Sequence, residues 1–288
     1  MVSYKQKKYF IERDIKRRFD NAAFAFNKND FIYRHCSNEL IERLKPISIQ
    51  SKNILDLGSA TCVMNKYFIN SYKGCNLINL DLSHKTLKIA KKNQKFSSNV
   101  FGLQANAYKI PLKANSMDIV FSNMLLPWIN DIDALFHEVR RILKNNGLFI
   151  FSTLGPKSFV TLTQAWEKED EYKHINPLFH ADEITTALHK SGLLDAVLDV
   201  DYLNITYQNI AKLYRDITAM GARNCMRDRV PSLIGKNKFN RVINKLRNNT
   251  QNRIEINLQI IFGHAWSIAR SNTNQEYYLD ISQIKKRQ

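Results

Sequence analysis

Lys52–Cys62, K-N-I-L-D-L-G-S-A-T-C, is the stretch whose reading decides the fold. Ile54, Leu55 and Leu57 form a short apolar run around Asp56 that ends at Gly58. The run reads as a buried parallel strand opening into a tight turn, and the pattern behind it predicts a helix over 63–72. A strand, a turn of small residues and a helix N-terminus make a nucleotide-binding crevice, where backbone N–H groups face the ligand and a small residue admits close approach. Alone the signal is weak. A three-glycine phosphate cradle is not present, since Ala60 and Cys62 follow Gly58, and no Gly-Lys-Ser/Thr follows to make a P-loop. On these residues an ordinary strand-to-helix turn stays open.

Beyond the turn, strand and helix patterns alternate. Strands are predicted at 53–58, 76–81, 100–104, 117–122 and 147–153, with helices near 63–72, 83–94 and 131–144. That alternation implies a parallel, doubly wound sheet, whose ligands sit outside the carboxyl ends of the strands. The second strand ends in Asp81, about twenty residues past the turn, where a carboxylate accepts ribose hydroxyls; a helix N-cap is the other reading, and Ser83 competes for that role. Gln104, Asn106 and Ala107 follow the third strand, with Asn106 placed to bond an adenine amino group or its own turn. The fourth strand ends at Ser122 and Asn123 and runs into Trp128, which either stacks on a ligand or fills the core.

Residues 1–50 read as two helices, the first carrying Phe10, Ile11, Ile15, Phe19 and Phe26, the second closed by Pro46. The segment Arg17–Ala23 is either a cover over the crevice or an extra packing layer. In the second half, helices are predicted near 158–170, 181–191, 207–220 and 236–248, with strands at 196–205 and 254–266. Residues 221–235 read as an exposed loop carrying Arg223, Arg227 and Arg229, and 271–288 as a basic tail. The implied organisation is a helical cover (1–50), a catalytic domain (51–270) with helical insertions over 155–250, and the tail.

The bulk composition narrows the partners. The chain of 288 residues carries a net charge of +17, which attracts something acidic (nucleic acid, anionic lipid or an acidic protein) unless it reflects only a Lys- and Asn-rich composition. No apolar run reaches the ~18 residues of a membrane span, and the N-terminus has no apolar signal region. Cys36, Cys62, Cys75 and Cys225 are scattered, which argues against a zinc site or disulfide framework and suits a reducing cytoplasm. His174 and His180 lie close in sequence without a metal-ligand pattern, and no metal is expected.

Taken together, D-L-G at 56–58, D-L-S at 81–83, N-A-Y-K-I-P-L from Asn106 and M-D-I-V-F-S-N from Met117 resemble a class I S-adenosylmethionine-dependent methyltransferase. F-D-N-A-A at 19–23, F-S-N-M-L-L-P-W at 121–128, F-S-T-L-G-P at 151–156, Q-A-W at 164–166, H-I-N-P-L-F at 174–179, A-M-G-A-R-N at 219–224 and F-G-H-A-W at 262–266 make the resemblance narrower. They are similar to the malonyl-[acyl-carrier protein] O-methyltransferases, over about residues 15–268.

The resemblance implies a seven-stranded, mostly parallel sheet flanked by helices, and S-adenosyl-L-methionine as cofactor. It implies methylation of the free carboxylate of malonyl on acyl carrier protein, an early step toward the pimeloyl chain of biotin. The acidic carrier gives the positive charge a purpose; neither nucleic acid nor membrane is implied as partner, and a monomer is expected. Cofactor contacts are implied at Asp56, Gly58, Ala60, Asp81, Leu82, Asn106, Ala107, Asn123 and Trp128, and substrate-pocket positions at Phe19, Phe26, Tyr202, Tyr207 and His264. The chain departs from the family at Ala60 and Cys62 (glycines), Phe26 (tyrosine) and Asn106 (aspartate), changes that bear on cofactor affinity.

A free carboxylate, which ordinarily titrates near pH ~4, is already ionised at pH 7, so methyl transfer to it needs no general base. Burying that carboxylate calls for a cationic partner, ideally an arginine. Arg18, Arg223, Arg227 and Arg229 are the candidates, each equally readable as a solvated or carrier-facing charge. The competing readings are a protein- or RNA-modifying relative and a methyltransferase-like assembly factor with weakened cofactor binding. Against RNA modification, S-N-M-L stands after the fourth strand where an N-P-P-F/Y tetrapeptide is expected.

Overall fold

A computed structural model describes residues 9–94, 99–219, 222–230, 234–246 and 253–268. Met220 and Gly221 of the A-M-G-A-R-N motif, the end of the 236–248 helix and the basic tail lie outside the described residues. One seven-stranded sheet carries the fold. Its strands are β1 (Asn53–Leu57), β2 (Asn76–Asp81), β3 (Val100–Gln104), β4 (Met117–Asn123), β5 (Leu143–Leu154), β6 (Leu193–Tyr207) and β7 (Ile254–Ser267). They lie in the order β3-β2-β1-β4-β5-β7-β6, the first five parallel and β7 antiparallel to both its neighbours. The expected seven-stranded, mostly parallel sheet is therefore present.

The order reverses between β1 and β4, so the mouth of the crevice opens at the switch point where doubly wound sheets bind ligands. Ile54, Leu55 and Leu57 are fully buried, as a central strand with helices on both faces requires. On one face α5 (Ile132–Ile142) and α7 (Ala181–Ser191) bury Leu135, Phe136, Val139, Ile184 and Leu188 against β1, β4 and β5. On the other face α2 (Phe31–Leu44) and α3 (Asn65–Ser71) bury Leu40, Leu44 and Phe68. Running across the strand ends, α1 (Glu12–Asn29) is bonded through Asn27 to the turn after β1 and through Asp20 to Ser83 at the start of α4 (His84–Gln94).

Several boundaries move for identifiable reasons. The helix predicted from 158 begins only at Val160 as α6 (Val160–Glu167), because Phe159 sits at φ +59°, outside helical space. The strand predicted from 147 starts at Leu143, since the ladder with β4 slips between Met117 and Ile119 and Lys144–Asn146 bulge through the irregularity. β6 and β7 outrun β5: Tyr202–Tyr207 pair with Ile254–Gln259 beyond the last β5 partner, Ile260. That overhang, with α6, α8 (Ile210–Ala219) and α9 (Lys236–Leu246) packed on it, forms a second apolar enclosure beside the crevice.

The 221–235 stretch is not simply an exposed loop. Cys225 and Met226 are buried with Phe10 and Trp128, Met226 forms a β-bridge with Phe10, and the Arg227 N–H donates to the Tyr9 carbonyl at 2.9 Å. Two apolar side chains among the arginines pull its middle inward. Among the described residues no helix is long and apolar enough to cross a membrane.

Candidate active site

The turn after β1 closes without its later glycines. Gly58 lies at φ +79°, Ala60 at +45° and Cys62 at +59°, so two L-residues occupy the left-handed region. Each such residue costs roughly 1–2 kcal/mol, which surrounding contacts must offset. The Gly58 and Ser59 N–H groups donate to the Leu80 carbonyl at 2.8 and 3.1 Å, and the Ala60 N–H donates to Asp81 Oδ2 at 2.8 Å. The turn is thus tied to the end of β2 by three hydrogen bonds. A Cβ on Gly58 would sit 3.2 Å from the Leu125 side chain, which would have to shift slightly, but it is the φ of +79° that calls for glycine.

The turn borders a crevice of about 510 Å³, within the usual range of a small-molecule site. Asp56, Gly58, Ala60, Asp81, Leu82, Asn106, Ala107, Asn123 and Trp128 all line it, as do Phe19, Phe26 and Arg227. Burial pushes the Asp81 carboxyl up to about 6 against the pull of the Ser83 and Ala60 N–H groups. Burial, with the charge of Asp81 nearby, pushes Asp56 up to about 8. Ser83 Oγ accepts from the Thr86 N–H at 3.3 Å, so Ser83 caps α4 and Asp81 is left facing the crevice. Two carboxyls and apolar walls suit a nucleoside with a cationic tail.

Two of the expected contact residues are already committed to the protein. Asn106 Oδ1 accepts from the Tyr108 N–H at 2.9 Å in its own turn, while its amide donates to Glu12 at 2.6 Å. Asn123 donates to the Tyr33 carbonyl and to Ser37 Oγ at 2.9 and 2.8 Å, and accepts from Ser152 Oγ at 2.6 Å. It fastens the end of β4 to α2. Trp128 is 9% exposed, meets the Phe19 ring edge-on at 5.2 Å, and walls both cavities.

From the Arg17–Ala23 segment, Phe19 lines the crevice and Asp20 bonds the residue that caps α4. Asp20 accepts from Ser83 Oγ at 2.6 Å, Thr61 donates to Asn27, and Asn130 exchanges hydrogen bonds with the N–H and carbonyl of Phe10 at 2.8 and 3.1 Å. Tyr108 Oη accepts from the Asn130 and Asp131 N–H groups at 2.6 and 3.0 Å, fixing the loop that holds Phe10. None of these long-range pairings is visible in sequence periodicity.

The second cavity, about 320 Å³, opens beside the first and shares Tyr33, Met124 and Trp128 with it. Its walls include Tyr207, Arg18, Arg223 and Arg229. Tyr202 and His264 line neither cavity. Tyr202 lies on the exposed face of β6, its hydroxyl 3.3 Å from Gln259 Nε2, and His264 sits mid-sheet opposite Ile150 and Val197, its pKa lowered by burial. Strand alternation turns Tyr202 to the face opposite Leu203 and Ile205, whereas His264 shares the face of Ile256 and Leu258 but lies further along β7, away from the overhang that builds the second cavity.

Sequence reasoning missed Tyr33 at the junction of the cavities and Tyr214 in the second; both lie within helices, away from the strand ends where ligand contacts are expected. His174 stacks on Trp166 at 3.9 Å and bonds Asp170, four residues earlier, at 2.9 Å. No group of metal-ligating side chains occurs among the described residues.

A profile of the methyltransferase domain family matches residues 55–151. The malonyl-[acyl-carrier protein] O-methyltransferase of Gallionella capsiferriformans is 31% identical over 267 residues, covering 90% of this chain and 91% of that protein. The enzyme of the same name from Legionella pneumophila is 26% identical, covering 96% of this chain and 99% of that one. Among solved structures, a putative methyltransferase from Bacillus halodurans superposes with a TM-score of 0.60 at 14% identity, covering 81% of this chain and all of that one. Phosphoethanolamine N-methyltransferase 2 of Haemonchus contortus, in complex with S-adenosyl-L-methionine, gives a TM-score of 0.54 at 18% identity, covering 87% and 57%. With its crevice at the switch point and a relative above 30% identity along nearly its whole length, the chain belongs to the class I S-adenosylmethionine-dependent methyltransferases, in the same family as those relatives.

Proposed function

We propose that the protein methylates the free carboxylate of malonyl carried on acyl carrier protein, as a monomer in the cytoplasm. One observation carries the reading: an apolar cavity with arginines in its wall adjoins the cofactor crevice, sharing Tyr33, Met124 and Trp128 with it. A carboxylate on an acyl chain needs both features, apolar walls to exclude water and a cation to hold the charge. The net charge of +17 suits an acidic carrier, and the names of the relatives agree with the acceptor.

The residues present fit the cofactor. Asp81 would accept ribose hydroxyls, Asp56 would support the polar end, Gly58 and Ala60 shape the turn, and Leu82, Asn106 and Ala107 would border the base. When bound, S-adenosylmethionine supplies a sulfonium methyl: an acceptor oxygen forms the new C–O bond as the C–S bond breaks, and carboxylate and sulfonium charges cancel. The protein's own contribution is alignment and dryness. The cover residues Phe19 and Phe26 and the wall residue Trp128 exclude water, and a positioned pair gains effective molarity capable of supplying roughly 7–11 kcal/mol. No side chain has a proton to remove.

Incubation with labelled S-adenosylmethionine and either malonyl- or acetyl-acyl carrier protein tests the proposal. Label on the malonyl carrier alone, released by mild base, is the expected result. Cofactor binding without transfer to malonyl carrier would overturn it in favour of an assembly factor or a protein-modifying relative.

A further inference from the structure

The crevice and the second cavity have Tyr33, Met124 and Trp128 in common. A cofactor in one and an acyl chain in the other meet at these side chains, so a polar group there stands nearest the reacting atoms. Met124 offers only a thioether, and Trp128 is packed against the Phe10 and Phe19 rings at 6.5 and 5.2 Å. Tyr33 brings a hydroxyl.

That hydroxyl is open to the cavities. It makes no hydrogen bond to any described residue, and it is not sealed inside the protein as the Tyr214 hydroxyl and the Arg18 Nε are. Tyr33 is half-buried and lines both walls. Burial, with Cys36 and Asp81 nearby, raises its pKa, so the phenol keeps its proton at neutral pH and serves as a donor.

The backbone behind the ring is fixed. Asn123, at the end of β4, donates to the Tyr33 carbonyl at 2.9 Å and to Ser37 Oγ, one turn along α2, at 2.8 Å. Met124 follows in the left-handed region at φ +59°, its N–H donating to the Ser152 carbonyl at 3.0 Å. A side-chain-bearing residue keeps that conformation only where its surroundings impose it, a condition common at functional sites. The junction is therefore built to hold a set geometry.

The neighbour of Tyr33 supplies an independent observation. The Phe26 ring lies 5.0 Å from the Tyr33 ring and also lines the crevice. Phe26 is the position where this chain departs from the family's tyrosine. The two rings, one on α1 and one on α2, are adjacent in the crevice wall, and the hydroxyl missing from the first is present on the second.

We infer that Tyr33 orients the acceptor in this chain: its hydroxyl donates to the carboxylate oxygen that does not take the methyl, and it replaces the hydroxyl absent at Phe26. The inference rests on the carboxyl-methylation reading. The attacking oxygen bonds the methyl carbon as the carbon–sulfur bond breaks, and that bond's electron pair stays on sulfur. The carboxylate thereby becomes a neutral ester, so its hydrogen bond to Tyr33 weakens along the reaction. Tyr33 accordingly contributes more to seating the acceptor than to the rate once it is bound, and its proton does not move.

The test compares three full-length chains: wild type, Tyr33→Phe, and Tyr33→Phe combined with Phe26→Tyr. At saturating S-adenosylmethionine, Tyr33→Phe should raise KM for malonyl-acyl carrier protein about tenfold, the scale of a hydrogen bond to a charged group, and change kcat less than about threefold. Titrating the S-adenosylhomocysteine-loaded protein with malonyl-pantetheine should show the same loss. Affinity for S-adenosylhomocysteine itself should stay near wild type, which also establishes that the variant is folded. The double variant should recover part of the malonyl affinity. Malonyl KM and binding unchanged in Tyr33→Phe overturn the inference, as does a comparable loss of S-adenosylhomocysteine affinity, which would put the hydroxyl on the cofactor. A double variant no better than Tyr33→Phe overturns the exchange with position 26. Wild type that transfers no methyl to malonyl carrier sinks the methylation reading, while malonyl-pantetheine binding that still depends on Tyr33 keeps the seat.

Discussion

The backbone N–H of Ala60, itself held at φ +45°, donates to Asp81 Oδ2 at 2.8 Å. This bond ties the strained turn after β1 to the carboxyl at the end of β2. At Ala60 the turn therefore keeps its shape through β2 rather than through glycine.

Ala60→Gly should stabilise the protein. It removes a left-handed penalty of roughly 1–2 kcal/mol and adds back about 0.4–1 kcal/mol of unfolded-chain entropy, a net gain of up to ~1.6 kcal/mol. Cys62→Gly should give no such gain, because the Cys62 side chain is fully buried against Leu87 and Ala90 and its packing is lost. Thermal melts of the two variants check the contrast; equal stabilisation would show that φ strain alone governs the turn.

Asp56 and Asp81 carry a pH signature. Both folded pKa values, about 8 and about 6, lie above the unfolded value of ~3.9. Their contribution to stability is thus fully present below pH ~4 and lost as pH rises through ~6 and then ~8. The ligand-free protein should melt at lower temperature at pH 8.5 than at pH 5, and Asp56→Asn should flatten the upper part of that fall. Ribose hydroxyls favour the ionised Asp81, so S-adenosylmethionine affinity should rise between pH 5 and 7 with uptake of a proton by the buffer. Calorimetry in buffers of different ionisation heat measures it, and Asp81→Asn should lose both the proton and most of the affinity.

Glu12 and Asn106 latch the cover over the crevice at 2.6 Å. The pair is exposed, so its loss costs at most about 1 kcal/mol of closure. Glu12→Ala should speed dissociation of S-adenosylhomocysteine severalfold with little change in melting temperature. Stopped-flow fluorescence, using Trp128 in the crevice wall, follows the release; an unchanged rate would show that other cover contacts set the opening.

Gly263, in the F-G-H-A-W motif, marks a close approach. A Cβ there would lie 2.4 Å from the buried ring of Phe151, which stacks on Phe149 at 4.9 Å. Gly263→Ala should cost about 1–3 kcal/mol by overpacking, read as a lowered denaturant midpoint. Adding Phe151→Leu should recover part of the loss.

Much of the core architecture is legible in the chain itself. Ile54–Leu57, the Asp81 terminus of β2 and the fourth strand read correctly because a buried parallel strand is a local, near-continuous apolar run, and its C-terminal end is where ligands gather. Every implied cofactor residue from Asp56 to Trp128 borders one crevice for the same reason. Strand ends give no help with the acceptor side. Tyr33 and Tyr214 sit within helices, alternation turns Tyr202 to the other face of β6, and His264 lies along β7 away from the overhang.

By itself, the sequence determined the parallel strands and the residues at their carboxyl ends, since each depends on periodicity within a short stretch of chain. Only the tertiary structure decided that residues near Phe10 and Met226 meet, that Arg18 keeps an unpaired Nε, and that the overhang of β6 and β7 builds a second cavity. These are contacts between segments as much as about 200 residues apart, fixed by packing and by which donors burial leaves unsatisfied. Hydrophobic spacing along the chain carries no record of either.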